Sequence, residues 1–293
     1  LAILAAAATG VQVCAALLAS EAVVAEVGAG RLGFLRYAIG LVFLLPFALK
    51  SASAPIARRD LLPVSLLGIG QFGILIALLN LALYFTASAR VSLVFSTLPL
   101  ATIAVAWLLL RSAVSGWNLA AILGTIVGVA LLFAGEALTG VLQADDLAGL
   151  GLAAAATRTG ALSSALYRPY LQAYGVIRVS VLAMAASLVP LGAMALVEGA
   201  GAPMDAWSLR TLLLIGFVGL SSGVGYLMWL YALANAPAGI VTAFLALSPV
   251  TTVGFTVLWQ GGALTPSLLA ALVLVIGGLV MAAIGSREAR EAK

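Results

Sequence analysis

The side chain best equipped for chemistry in this chain is Arg158, set in the stretch AAAATRTGALSSALYRPY (residues 153–170). A guanidinium offers five N–H donors in a flat fork that matches a carboxylate, and it stays charged at any physiological pH. The residues able to complete a pocket around bound cargo are Gln12, Gln71, Asn80, Ser96, Ser163, Ser221, Ser222, Ser248, Tyr84, Tyr226 and Trp229. A serine in an apolar helix has a simpler use, bonding to the backbone of its own helix or a neighbour. The amides of Gln12, Gln71 and Asn80 carry more weight, since a primary amide out of water needs several partners. Tyr226 and Trp229, three residues apart, make either an aromatic wall for hydrophobic side chains or a plain packing stripe.

What is missing narrows the chemistry further. The sequence contains no histidine and one cysteine, Cys14, so neither a zinc site nor a disulfide framework is available. No aspartate or glutamate lies inside an apolar stretch. Acid–base or metal-assisted chemistry has no residues to run on, so no catalytic residue, metal or cofactor is expected and the chain reads as a non-enzyme. On a wheel of about 100° per residue, Gly151, Ala154, Ala155, Ala161, Leu162 and Ala165 share the face of Arg158, leaving room beside the charge. Carbonyls of a neighbouring helix could fill that room, or water and a carboxylate-bearing cargo; both remain open on the sequence. Proton-coupled carriers use intramembrane Asp, Glu or His, so movement down the cargo's gradient without obligatory proton coupling is expected.

The elements that must hold these residues follow from composition. Of 293 residues 64% are apolar and 8% charged, against about 25% charged in an ordinary soluble domain. A bilayer core about 30 Å thick takes about 20 apolar residues per helical crossing. Apolar stretches fall at 1–20, 32–49, 61–83, 91–110 and 117–135, then at 147–168, 177–197, 209–233, 238–259 and 266–285. Ten crossings of an all-α membrane protein are thus expected, with the first stretch kept as a helix because more spans follow it. Arg158 then lies near the midplane, where an arginine costs about 2.5–3.5 kcal/mol and faces a bundle interior or a wet cavity.

Charge sets the direction. With the N-terminus inside, Lys50, Arg58, Arg59, Arg111, Arg168, Arg178, Arg287, Arg290 and Lys293 collect on the cytoplasmic side, against Arg31, Arg90 and Arg210 outside. That is the bias of cytoplasmic loops. Acidic residues divide the other way, and Arg36, about one turn from Arg31, reads as a structural residue near the outer interface. Basic residues at helix ends rather than in patches with aromatics argue against nucleic acid.

The two halves, 1–142 and 143–293, resemble each other. An offset of 147 pairs Tyr84 with Tyr231 and Ala89 with Ala236; an offset of 150 pairs Pro99 with Pro249, Ala121 with Ala271, Gly128 with Gly278 and Gly135 with Gly285. Five helices per half make the copies inverted, the arrangement in which one pattern supplies two access states around a midplane site. Pro99 and Pro249, each removing a helix hydrogen bond, are then candidate hinges. Gly124 with Gly128 and Gly219 with Gly223 read as close helix contacts.

These residues carry a family resemblance. TGVQ (9–12), RYAIG (36–40), STLP (96–99) and LSP (247–249) occur in the order of the motifs of the drug/metabolite transporter superfamily, EamA type. Thr9, Gln12 and Tyr37 stand where that pattern often has Trp, Asn and Phe, and the tryptophan often found near position 160 is absent. Within the family the chain is most similar to the YddG-like amino-acid exporters. The resemblance implies a multi-pass inner-membrane exporter of small organic solutes, with aromatic or neutral amino acids as the expected cargo. A multidrug or other metabolite exporter is the alternative, although Arg158 would repel cationic drugs. The lipid bilayer and a small-molecule substrate are the expected partners, and a monomer the expected state.

Overall fold

The computed structural model describes residues 1–50, 54–111, 116–138, 143–199, 207–235, 247–260 and 265–291. Those residues fold as helices: α1 (Ala2–Val27), α2 (Ala29–Leu49), α3 (Arg58–Gly68), a π-helical turn (Ile69–Ile74), α4 (Leu75–Phe85), α5 (Ser88–Phe95) and α6 (Leu98–Leu110). They continue as α7 (Gly116–Leu138), α8 (Ala144–Tyr174), α9 (Val176–Val197), α10 (Leu209–Asn235), α11 (Leu247–Gln260) and α12 (Pro266–Glu291). Six stretches are long and apolar enough to cross a membrane: Ala2–Val27, Ala29–Leu49, Arg58–Phe85, Ser88–Leu109, Val176–Val197 and Leu209–Met228. The helix around Arg158 is longer than any of these, yet its alanine, glycine and threonine content keeps it less hydropathic. The expected ninth stretch, 238–259, is described only from Leu247 onward.

Two expected spans are interrupted. The third runs as α3, the π turn and α4; the fourth breaks at Ser96–Thr97, where Ser96 Oγ donates to Leu93 O (2.7 Å) and Thr97 Oγ1 to Val94 O (2.7 Å). Pro99 therefore sits in the first turn of α6, where its missing N–H leaves nothing unsatisfied. Pro249 lies in α11, two residues past Leu247, where the described part of that helix begins. Pro99 thus starts a helix, which corrects the expectation of a kink within a continuous one at that position.

Packing follows a closed ring. Going round, α1 packs on α10, α10 on α2, α2 on α9, α9 on α3 and the π turn, the π turn and α4 on α8, α8 on α6 and α5, α5 on α11, and α11 on α1. Neighbours alternate between the first and second half of the chain throughout. The pair α7 and α12 packs together beside the ring, next to α6. Exchanging α1 with α8, α2 with α9, α3–α4 with α10 and α5–α6 with α11 maps these contacts onto one another, as an inverted repeat requires. One pair of glycines makes the relation local: Gly28 (φ 96°) turns α1 into α2 within one residue, and Gly175 (φ 74°), 147 residues on, turns α8 into α9. Both backbones lie where a Cβ is strained.

With little hydrophobic drive between helices in lipid, close packing at small residues holds such bundles. Ile39 and Phe43 of α2 lie on Gly219 and Gly223 of α10, and Ala183 of α9 on Gly68 of α3. Gly128 meets Leu274, while among the described residues nothing lies against Gly124.

The end of the ring near the α1–α2 turn is acidic and tightly joined. Gly30 N–H donates to both oxygens of Glu198 (2.8 and 3.0 Å), an anion at the N-terminus of α2. Thr211 Oγ1 donates to Glu26 (2.8 Å), Ser88 Oγ to Glu21 (2.6 Å), and Arg90 pairs with Asp146 (2.6 Å), which also accepts from Thr86 (2.7 Å). Arg31 lies over the Trp207 ring, 5.8 Å from its centroid. At this end α1 also crosses to α4 and α5, and α2 to α4. Among the described residues, α8 makes no comparable packing with α10 or α11 at the opposite, basic end. There Tyr167 Oη donates to Val64 O (3.2 Å) and Tyr174 to Asp60.

Candidate functional site

Halfway along the ring helices, polar side chains meet across helix crossings. Arg36 of α2 donates from Nε to Ser222 Oγ on α10 (2.8 Å), and Ser222 Oγ in turn donates to Val218 O (2.7 Å). Ser222 lies thirteen residues from either end of Leu209–Asn235, close to mid-depth. Arg36 lies seven residues beyond Ala29, about 10 Å along the axis. The exposed residues Val42, Leu45 and Leu49 mark the outer face of α2, and Arg36 is about 120–180° away from them at about 100° per residue. Its terminal nitrogens make no hydrogen bond to the described residues and are not among the buried unpartnered atoms. Phe47, about 20° from Arg36, is exposed as well, so accessible space lies on that side of α2 too.

Less than one turn further along α10, Gly225 receives Gln12 of α1: a Cβ there would fall 2.1 Å from Gln12 Oε1. The next residue, Tyr226, has its hydroxyl 2.5 Å from Ser180 Oγ of α9. Three neighbours thus converge on Ser222–Tyr226. Across the ring, Gln71 sits in the π turn and accepts from Ser164 Oγ (3.1 Å). Ser163 presses on Gly70, whose Cβ would fall 2.5 Å from its Oγ. A π turn widens the helix by one residue and is frequent at functional positions.

Other expected site residues are placed differently. Asn80 is buried and donates to Ala29 O (3.0 Å), holding α4 to the start of α2 at the acidic end. Tyr84 donates to Val24 O (2.7 Å) in the same seam. Ser96 is spent on Leu93 O at the helix break, and Ser221 on Val218 O. Ser248 is buried in α11. Trp229 is in α10, its side chain outside the described residues.

Arg158 stands apart from the polar crossings. It lies fourteen residues into α8, about 21 Å from that end, so it is as deep as expected. It is exposed, on a stripe with Leu147, Gly151, Ala154 and Leu162. Gly149 and Gly160, which meet Thr86 just past α4 and Leu75 and Leu98 of α4 and α6, lie about 160–180° round the helix.

Arg36 was undervalued because the sequence places the start of its helix at 32. The one-residue turn at Gly28 starts α2 at Ala29, and Arg36 moves nearly a turn deeper. The signal available was the glycine itself, matched by Gly175.

The profile of the EamA-like transporter family matches residues 1–134 and 147–284, one segment in each half. The chain belongs to the EamA-like transporter family. An uncharacterized transporter of Clostridium kluyveri is 22% identical over 263 residues, covering 88% of this chain and 84% of that protein. A solved crystal structure superposes with a TM-score of 0.65 at 19% identity, covering 98% of this chain and 97% of the other, a likeness of fold. The EamA-type assignment within the drug/metabolite transporter superfamily therefore holds, and the protein is a multi-pass membrane transporter.

Proposed function

We propose that this EamA transporter spans the inner membrane ten times, with both termini cytoplasmic, and exports small organic solutes, neutral or aromatic amino acids foremost. It acts as a monomer, a reading supported by a ring of helices that closes within one chain. Cargo enters from the basic end, occupies the mid-depth crossing of α1, α2 and α10, and leaves when the acidic end opens. The observation that supports this reading is the lining itself: a cation, primary amides and hydroxyls converge at mid-depth, joined there by no Asp or Glu among the described residues. Such a lining suits a polar solute with a carboxylate, and it offers no proton-carrying side chain.

The test is flux in proteoliposomes across a panel of amino acids, their decarboxylated amines and neutral metabolites, with and without an imposed pH gradient. Net downhill movement of amino acids, indifferent to the gradient, is the expected result. Strong acceleration by the gradient would remove the uncoupled mechanism, and no amino-acid flux at all would remove the cargo class.

A further inference from the structure

We infer that Arg36 and Ser222 form the carboxylate-binding subsite, with the Gln12 amide as its neighbour. The inference rests on the transport reading and names the group that recognises the cargo. Three observations carry it.

First, Ser222 takes the Nε–H of Arg36, which fixes the plane of the guanidinium. Four of its five N–H donors remain, on the two terminal nitrogens. That end-on pair is the edge that engages both oxygens of a carboxylate in parallel. Those nitrogens are accessible and make no hydrogen bond to the described residues. Second, the charge is only lightly compensated: the guanidinium carbon stands 5.8 Å from the Tyr37 ring centroid, and the neutral Ser222 hydroxyl is its hydrogen-bond partner among the described residues. A cation held this way at depth gains most from an anion that arrives with the cargo. Third, the crossing has room because its residues are small: Gly40 faces Gly219 and Gly223, and Gly225 accommodates Gln12. The equivalent crossing in the other half, α9 on α3, sets Ala183 against Gly68 and carries no charge there. The site is therefore single, whereas the fold around it is doubled.

The ligand class is a monocarboxylate or zwitterion with its carboxylate unhindered at one end. Thermal shift and equilibrium binding on the purified full chain in lipid nanodiscs test this with L-phenylalanine, L-leucine, 3-phenylpropionate and the amines phenethylamine and isoamylamine. The wild type is expected to bind the carboxylates and not the amines, with at least about a tenfold loss in R36Q and a smaller one in R36K, which keeps the charge without the fork. S222A, which frees Nε, is expected to weaken carboxylates while leaving the amines unchanged. Should R36Q fail to fold, R36K and S222A read the same subsite. Equal binding of acids and amines by the wild type overturns the inference, as do failure of all three carboxylates to bind, retention of affinity in R36K and S222A, or a loss that follows R158Q. Transport of the amines in proteoliposomes would sink this subsite yet leave the transport reading standing.

Discussion

Arg36 on α2 and Ser222 on α10 are joined by a 2.8 Å hydrogen bond from Nε to Oγ, linking the first half of the chain to the second at mid-depth. Interhelical hydrogen bonds of this kind contribute about 0.6 kcal/mol on average, up to about 1.7. S222A is accordingly expected to lower thermal stability only slightly. Its larger effect should be a raised KM for carboxylate cargo with little change in maximal rate, read from initial-rate transport.

Gly225 makes the approach of Gln12 possible. In G225A the new methyl would displace the Gln12 amide from α10, since it would fall 2.1 Å from Gln12 Oε1. An overpacked site costs about 1–3 kcal/mol, and Q12A in the same chain should restore most of it. A double-mutant cycle on thermal unfolding checks this; strictly additive losses would mean the two residues do not share the space.

Arg158 lies on an exposed stripe of α8, away from the faces that pack. Replacing it by leucine removes an insertion penalty of about 2.5–3.5 kcal/mol. Arg158→Leu should raise the yield of folded protein in membranes with cargo affinity intact. Loss of transport at normal yield would instead return Arg158 to the cargo site.

Asp146 accepts from Arg90 and Thr86 at the acidic end, with both ion-pair side chains mostly buried, 17% and 12% exposed. Asp146→Asn leaves Arg90 without this charge partner, at a cost of about 1.5–3 kcal/mol for a charged hydrogen bond. A lowered melting temperature is expected, together with faster thiol labelling of a cysteine placed below this seam, if the pair helps close that end.

Pro99 opens a helix rather than bending one. P99A should leave stability nearly unchanged, because a first-turn proline displaces no hydrogen bond. As a hinge it would alter transport rate more than cargo affinity; equal losses in both would argue against a hinge.

The broad plan was legible because lipid imposes it: apolar length sets the helices, and the matched Tyr, Pro and Gly positions marked the duplication. The site was less legible where polar residues have backbone alternatives. Asn80, Ser96 and Ser221 looked like lining residues and are consumed by the carbonyls of Ala29, Leu93 and Val218. Gln12, Gln71, Ser163 and Ser222 do meet other helices at mid-depth, and Tyr226 meets Ser180 nearer the basic end. Depth errors of a few residues mattered most at Arg36, whose helix begins three residues earlier than its apolar run. The π turn leaves no mark in hydropathy, since one added residue changes neither length nor composition enough to notice.

That turn, Ile69–Ile74, also fixes how many residues the third span must contain. An α-helical ladder would accommodate one residue fewer between Gly68 and Leu75, so a single deletion there should be absorbed by tightening to a regular helix. Leu75–Phe85 would then keep its place, with Asn80 on Ala29 and Tyr84 on Val24, while Gln71 would lose its position opposite Ser164. One residue of surplus chain, wound into the middle of a span, thereby sets the central amide without disturbing the distant seam.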